Sequence, residues 1–213
     1  RLLELTKPVA TAVVPISAGR HIYKREPSFP IAVACDPAFN FVYEANIRYL
    51  HHLGEVTYFS PLADTSLPDA GFVYLPGGYP ELYLAALSAN RQMLQSIRRY
   101  VESGGKLLAE CGGMMYLCDE IRDKNGYVYP MAGVLHQSAT MENMKLRLGY
   151  RTLLYNETRL KGHEFHYSRL VEQQNPLPSC AVAYTAKGVE TDTPLYHYKN
   201  VWAGYTHLYW ADP

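Results

Sequence analysis

Apolar positions fall into two textures along the chain. Between residue 30 and about residue 125, short unbroken apolar runs alternate with stretches in which apolar residues recur every three or four positions. IAVAC, from Ile31, is such a run, and an unbroken run marks a strand covered on both faces. AFNFVYEANIRYLHHLG then carries Phe39, Val42, Tyr43, Ile47 and Leu50 at helical spacing, with Gly54 as its stop. VTYFS and GFVYL read as the next two strands. Leu94, Ile97 and Val101 share one face of a helix ended by Gly104 and Gly105. KLLAE is a further strand, Cys111 a corner, and GGMMYLCDEI a helix. Strand, helix, strand, strand, helix, strand, helix with short links predicts an α/β fold, a mostly parallel sheet with helices on both faces.

After about residue 125 the helical spacing disappears. YVYPMAGVL, LRLGYRTLLY, HEFHYSRLV and CAVAYTA are short, rich in Tyr, Val and Leu, and split by Gly, Pro and Asn. They predict antiparallel strands and hairpins, so the C-terminal half is β-rich. NVWAGYTHLYW closes the chain as another strand-like run. Ten of the 19 tyrosines fall in this half, mostly as half-buried strand positions. Residues 1–29, with Pro8, Pro15, Pro27 and the mixed-charge HIYKRE, read as a linker or arm, leaving 30–213 as the folded domain. The chain opens without Met, which we take as the sign of a piece of a longer polypeptide.

Composition narrows the partners. Apolar residues make up 48% and charged residues 19%, the balance of a globular protein. Twenty basic residues offset 20 acidic ones, so nothing draws the chain to nucleic acid or an anionic membrane. No apolar run approaches the ~18 residues that would span a bilayer, and the opening RLLELTKPVA is not a signal peptide. The four cysteines, Cys35, Cys111, Cys118 and Cys180, show no CxxC spacing. A zinc site or disulfide framework is therefore not expected, and a reducing cytoplasm is.

The corner at Cys111 carries the first chemistry. A strand turning sharply into a helix with a cysteine at the apex is the layout of a nucleophile elbow. Its neighbours are small, Ala109, Gly112 and Gly113, as a crowded turn requires. A helix N-terminus would favour the thiolate, and the Gly112 N–H would face a developing oxyanion. The competing reading is a buried, inert cysteine in an ordinary turn, and the corner alone does not separate the two. Cys118 on the same helix face, and Cys35 and Cys180 in apolar strands, read as packing.

A nucleophile needs a base, which the fold and not the sequence brings near. Of eight histidines, His207 in AGYTHLYW is best placed if its strand joins the sheet beside Cys111. His166 in GHEFHYS follows it. His163 and His166 are three apart on a strand, so their rings point to opposite faces and no metal site is expected. PGGYPE, after the third strand, adds Gly77 and Gly78, which allow close backbone approach to a ligand. An N–H from this turn would complete an oxyanion hole with Gly112. The same residues also make a plain helix start, with Pro80 first and Glu81 on the dipole.

LPGGYPELYLAALSAN, LLAECGGMMYLC, GHEFHYS and GYTHLYW, in that order, together resemble the glutamine amidotransferase domain of the cobyrinate (hydrogenobyrinate) a,c-diamide synthases. FSPLADTSLPDA resembles that family too, and the likeness runs from about Pro30 to Trp210. It implies a class I glutamine amidotransferase fold, flavodoxin-like in its sheet. It implies Cys111 as nucleophile on L-glutamine, His207 as base, and Gly78 and Gly112 as oxyanion donors. It places ATP and magnesium in an N-terminal synthetase domain of the same polypeptide, through which a corrinoid acceptor is amidated on its a and c carboxylates. No cofactor is expected in this chain, which lacks a GxxxxGK[ST] loop.

One departure concerns the base. Related amidotransferases often carry Glu two residues after the histidine, where this chain has Tyr209. Either a Cys–His dyad operates, or a residue such as Glu164 takes the third role. The alternatives are the amidotransferase domain of cobyric acid synthase, that of another large-acid ligase, or a binding domain of this fold whose chemistry has lapsed. His207-Leu208 favours the a,c-diamide type over cobyric acid synthase, where HG is expected.

Overall fold

The computed structural model of the chain describes residues 29–210. The arm expected over residues 1–29 lies outside them except for Phe29.

The first half builds as β1 (Pro30–Ala34), α1 (Glu44–Leu53), β2 (Glu55–Phe59), β3 (Phe72–Leu75), a 3-10 turn (Pro80–Leu82), α2 (Leu84–Ala89), α3 (Arg91–Glu102), β4 (Lys106–Glu110) and α4 (Gly112–Leu117). The apolar runs of β1, β3 and β4 are buried along most of their length, as central strands between two helical layers must be. On α3 the buried residues are Met93, Leu94, Ile97 and Val101, which include the expected face. Asn90 caps that helix by accepting from the Met93 N–H, an orphan donor of its first turn. Burying each of Ile97, Val101 and Leu107 is worth roughly 1.5–3 kcal/mol to the core these layers share.

Two helices are shorter than their periodicity predicts, each for a local reason. The stretch before α1 does not coil until Glu44. Asp36 folds back to accept from the N–H groups of Ala38 and Phe39, and Phe41 bridges to Gly77. A side-chain turn and a bridge thus take the amides a helix would need. After Leu117, Asp119 donates to Gln137 and the following residues pair as a strand, so CDEI leaves the helix.

The second half adds β5 (Glu120–Arg122), β6 (Val128–Pro130), β7 (Ser138–Thr140), β8 (Arg147–Tyr155), β9 (Thr158–His166), β10 (Arg169–Leu170), β11 (Val182–Thr185), β12 (Glu190–Thr191), β13 (Leu195–Tyr198), β14 (Val201–Gly204) and β15 (His207–Leu208). These strands divide among three sheets. The main sheet has the order β13-β14-β4-β3-β1-β2, parallel except where β13 meets β14. A second holds β10-β7-β5-β6 and a third β12-β11-β8-β9-β15. In the main sheet β1 lies between β2 and β3, so the chain reverses its direction of winding there. Crevices at the carboxyl ends of such strands are where α/β sheets bind ligands. β14 returns 91 positions after β4 to run parallel beside it, with Gly204 opposite Glu110, and delivers the next residues to the end of β4.

Candidate active site

Cys111 stands where β4 becomes α4, with φ 48° and ψ −105°. A positive φ is strained for a residue with a Cβ, and such strain is characteristic of a side chain forced out at an elbow. The corner is pinned from below, because the Cys111 N–H donates to Gly204 O at 2.7 Å. Its neighbours are glycines for want of room. A Cβ on Gly113 would lie 2.2 Å from the Leu75 carbonyl oxygen, and one on Gly112 would lie 2.7 Å from Pro80 and 3.2 Å from Gly78 N. The turns after β3 and β4 are therefore in backbone contact. Among the described residues neither the Gly78 nor the Gly112 N–H donates to a backbone carbonyl. Two such donors beside one sulfur are what an oxyanion requires.

A narrow pocket opens over Cys111, lined also by Gly78, Tyr79, Glu81, His166 and Ser168. Sγ lies 3.8 Å from Phe165 O. Burial, with Glu81 adding to it, pushes the thiol up to about 12, although a hydrogen bond from the Gly112 backbone pulls the other way. The thiolate expected from the helix N-terminus is thus not the resting form. α4 has only 6 residues, and its dipole is outweighed by desolvation. Cys118 packs in the core as expected, though from beyond the helix end, and Cys180 is half-buried. Cys35, read as packing, is instead exposed at the end of β1.

His207 arrives on β15, paired with His163 of β9 in the third sheet and not in the main one. β14 nevertheless ends three residues before it, with Gly204 beside Glu110 and Cys111. A Cβ on Gly77 would meet its Cε1 at 2.1 Å, so the ring lies directly on the glycine turn. Phe41 covers it, with ring centroids 4.3 Å apart. Burial first, then the nearby His163 and His166, drive the ring down to about 4, so it is neutral near pH 7. Its Nδ1 is buried with no hydrogen-bond partner.

Glu164, weighed as a third partner for His207, serves His166 instead. Glu164 Oε1 meets His166 Nε2 at 2.8 Å, and Oε2 accepts from Thr193 and pairs with Arg151. Burial alone would raise this carboxyl, but His166, Thr193 and Arg151 together hold it below its ordinary value. His166 Nδ1 faces Ser168 O at 2.8 Å, and its ring stacks on Tyr205 at 3.7 Å. Both nitrogens of His166 are occupied by acceptors. In this arrangement the ring lines the pocket beside Cys111 with both nitrogens engaged elsewhere.

Two residues at the site escaped the sequence reading. Glu110, 2% exposed, accepts from Tyr74 Oη at 2.7 Å and from Leu208 N at 3.1 Å. Asn46, fully buried, donates to Leu208 O at 2.7 Å and accepts from Trp210 N at 3.0 Å. A charge closing the apolar run KLLAE, and an amide one turn from Leu50 on the covered face of α1, were the available signals. Among the described residues no cluster of His, Cys, Asp and Glu could hold a metal ion, and no helix is long and apolar enough to cross a membrane.

Comparison with known proteins gives the family and the fold. Residues 30–213 match the family model of the CobB/CobQ-like glutamine amidotransferase domain. The chain is 40% identical over 185 residues to a hydrogenobyrinate a,c-diamide synthase of Pseudomonas aeruginosa, covering 84% of this chain and 41% of that protein. It is also 40% identical over 188 residues to a cobyrinate a,c-diamide synthase of Fusobacterium nucleatum, with the same coverage. It thus spans about two fifths of the length of these relatives. Among solved structures, PurLQS from Thermotoga maritima aligns with TM-score 0.57 at 18% identity, covering 84% of this chain and 87% of that one. A structure described as a glutamine amidotransferase aligns with TM-score 0.54 at 16% identity, covering 83% and 89%. At those identities the two structures speak for the fold, and they give the α/β expectation its particular form.

Proposed function

The chain belongs to the CobB/CobQ-like glutamine amidotransferase domain family, and from that premise we propose that it is the glutaminase part of an ATP-dependent corrinoid a,c-diamide synthase. The observation that carries the reading is the corner itself. A cysteine held at positive φ stands beside two glycine turns whose Gly78 and Gly112 N–H groups donate to no backbone carbonyl, and the His207 ring rests on the first of those turns, at Gly77.

Cys111 Sγ attacks the side-chain carbonyl carbon of L-glutamine, and the carbonyl oxygen takes the negative charge against the N–H groups of Gly78 and Gly112. His207 accepts the thiol proton and returns it to the departing nitrogen, so ammonia leaves and a thioester remains. Water then attacks the thioester, giving glutamate and free thiol. A thiol near 12 and an imidazole near 4 do not exchange a proton spontaneously. The transfer belongs with the attack, once substrate fills the pocket and a charge stabilised by two N–H groups develops on the oxygen. The turn of Gly77 supports His207 from below, and His166, fixed by Glu164, walls the glutamine pocket.

The acceptor belongs to the portion of the relatives that this chain does not span. There ATP and magnesium would activate the a and c carboxylates of a corrinoid, in the cytoplasm. The relatives' names support the corrinoid a,c-diamide part of that assignment.

The test is labelling of the full-length protein with 6-diazo-5-oxonorleucine, read by peptide mass spectrometry at the four cysteines of this chain with glutamine as competitor. Glutamine-protected modification at Cys111, together with loss of glutamine-dependent amidation in Cys111→Ala, is the expected result. Amidation from glutamine that survives Cys111→Ala would sink the enzymatic reading and leave a lapsed binding domain.

A further inference from the structure

The unpaired Nδ1 of His207 poses a question of aim. A general base has to be held to its task, and commonly a carboxylate on the far ring nitrogen does this. Here Nδ1 has no partner, Glu164 is committed to His166, and Tyr209 stands where related amidotransferases often have Glu. We infer that Glu110 and Asn46 are positioning residues that aim His207 by gripping the backbone of the next residue, Leu208.

The grip comes from two directions. Glu110 ends β4 and immediately precedes Cys111, and its Oε1 accepts the Leu208 N–H at 3.1 Å. Asn46 reaches in from α1, its Nδ2 donating to Leu208 O at 2.7 Å while its Oδ1 accepts the Trp210 N–H at 3.0 Å. Both polar groups of one peptide residue are thereby fixed by side chains 98 and 162 positions away in sequence. On the other edge, Tyr209 N–H donates to Lys161 O and His207 pairs with His163. With the backbone on its C-terminal side held and Phe41 and Gly77 both packed against its ring, His207 has little freedom left. Because Glu110 and Cys111 are adjacent, the grip ties the base to the nucleophile through one peptide bond.

The chemistry of the grip also explains why a carboxyl group is tolerated in the core. Leu208 N–H needs an acceptor, and Oε1 is one whether or not the group is ionised. The second oxygen lies 2.7 Å from Tyr74 Oη, which can donate to a carboxylate or accept from a carboxylic acid. Glutamine reproduces the acid form, with its oxygen toward Leu208 and its NH2 toward Tyr74. Alanine reproduces neither.

This inference rests on the proposed glutamine chemistry, and the experiment separates the two. Glutamine hydrolysis is measured on the full-length protein for wild type, Glu110→Ala, Glu110→Gln, Asn46→Ala and the double alanine variant, with melting temperature as the check on folding. Misplacing a base by a fraction of an ångström to an ångström should lower kcat by up to about 100-fold in each alanine variant. KM for glutamine should stay within about twofold, because the glutamine pocket is untouched. The double variant should lose little more than the worse single one, since both act through Leu208. Glu110→Gln should keep most of kcat, which general damage to the core would not predict. If Glu110→Ala does not fold, Asn46→Ala and Glu110→Gln carry the test. The inference is overturned if folded Asn46→Ala keeps full kcat, if the loss appears in KM, or if Glu110→Gln is as impaired as alanine. If wild type does not hydrolyse glutamine, the parent reading fails and takes the inference with it. If wild type does so and the alanine variants match it, only the grip fails.

Discussion

At the scale of single residues, the proposed nucleophile rests in an unreactive form. Cys111 is 5% exposed and its thiol is pushed up to about 12, chiefly by burial. Cys35 is exposed at the end of β1. A small neutral alkylator such as iodoacetamide should therefore reach Cys35 before Cys111, and its rate at Cys111 should keep rising with pH through the range where free thiols level off, roughly 8–9. Time-resolved peptide mapping between pH 7 and 10 checks both statements. A plateau at Cys111 below pH 8, or Cys111 reacting first, would contradict the burial argument. The glutamine analogue should behave oppositely and select Cys111, because it brings its own carbonyl to the N–H groups of Gly78 and Gly112. Selectivity then comes from the pocket and not from the intrinsic reactivity of the sulfur.

At the scale of elements, the β4–α4 elbow was legible because its constraint is local. A strand ending at Glu110, a corner, and glycines crowded by backbone leave few solutions, and Gly112 and Gly113 stand where no Cβ fits. The cost of the corner is measurable. At φ 48° a Cβ is penalised by roughly 1–2 kcal/mol and glycine is not. Cys111→Gly should therefore be about 1 kcal/mol more stable than Cys111→Ala in urea unfolding, although both lack the proposed nucleophile. Equal stability would mean that the corner is unstrained. Gly113→Ala should move the other way, losing roughly 1–3 kcal/mol, since its Cβ would fall 2.2 Å from Leu75 O. What was not legible was non-local. Periodicity carried the helix back to Phe39, but Asp36 and Gly77 claim those amides, and the helix after Cys111 stops where Gln137 offers a carbonyl. The β-rich half announced strands but not their partition, because alternating Tyr, Val and Leu does not say which sheet a strand joins. Glu110 and Asn46 were missed for the same reason, as their partners lie 98 and 162 residues away.

At the scale of the whole molecule, two buried groups with displaced protonation set opposing dependences of stability on pH. Burial lifts Glu110 from 4.5 to about 8, with Tyr74 and the Leu208 N–H resisting the rise and the Tyr43 hydroxyl and Cys111 nearby. A carboxyl raised on folding contributes stability that is fully present below its unfolded value of 4.5 and is lost as pH climbs through about 8. His207 is lowered from 6.5 to about 4, so its contribution is present above 6.5 and is lost as pH falls toward 4. Between 4.5 and 6.5 the folded state binds one proton more at Glu110 and one fewer at His207, and the slopes cancel. Above 6.5, of these two groups, only the Glu110 slope remains. Stability of the chain should thus be nearly level from pH 4.5 to 6.5. It should then fall by about 2 kcal/mol between pH 6.5 and 8, from 1.5 pH units at 1.36 kcal/mol each. Urea unfolding at half-unit pH intervals reads this directly. Glu110→Gln should remove most of the decline above 6.5, and a wild type whose stability stays flat to pH 8 would show that Glu110 is ionised well below neutrality. The same measurement bears on the grip on Leu208. If the decline appears in wild type while kcat holds steady across it, the carboxyl aims His207 in either protonation state, as an acceptor shared by the acid and its anion must.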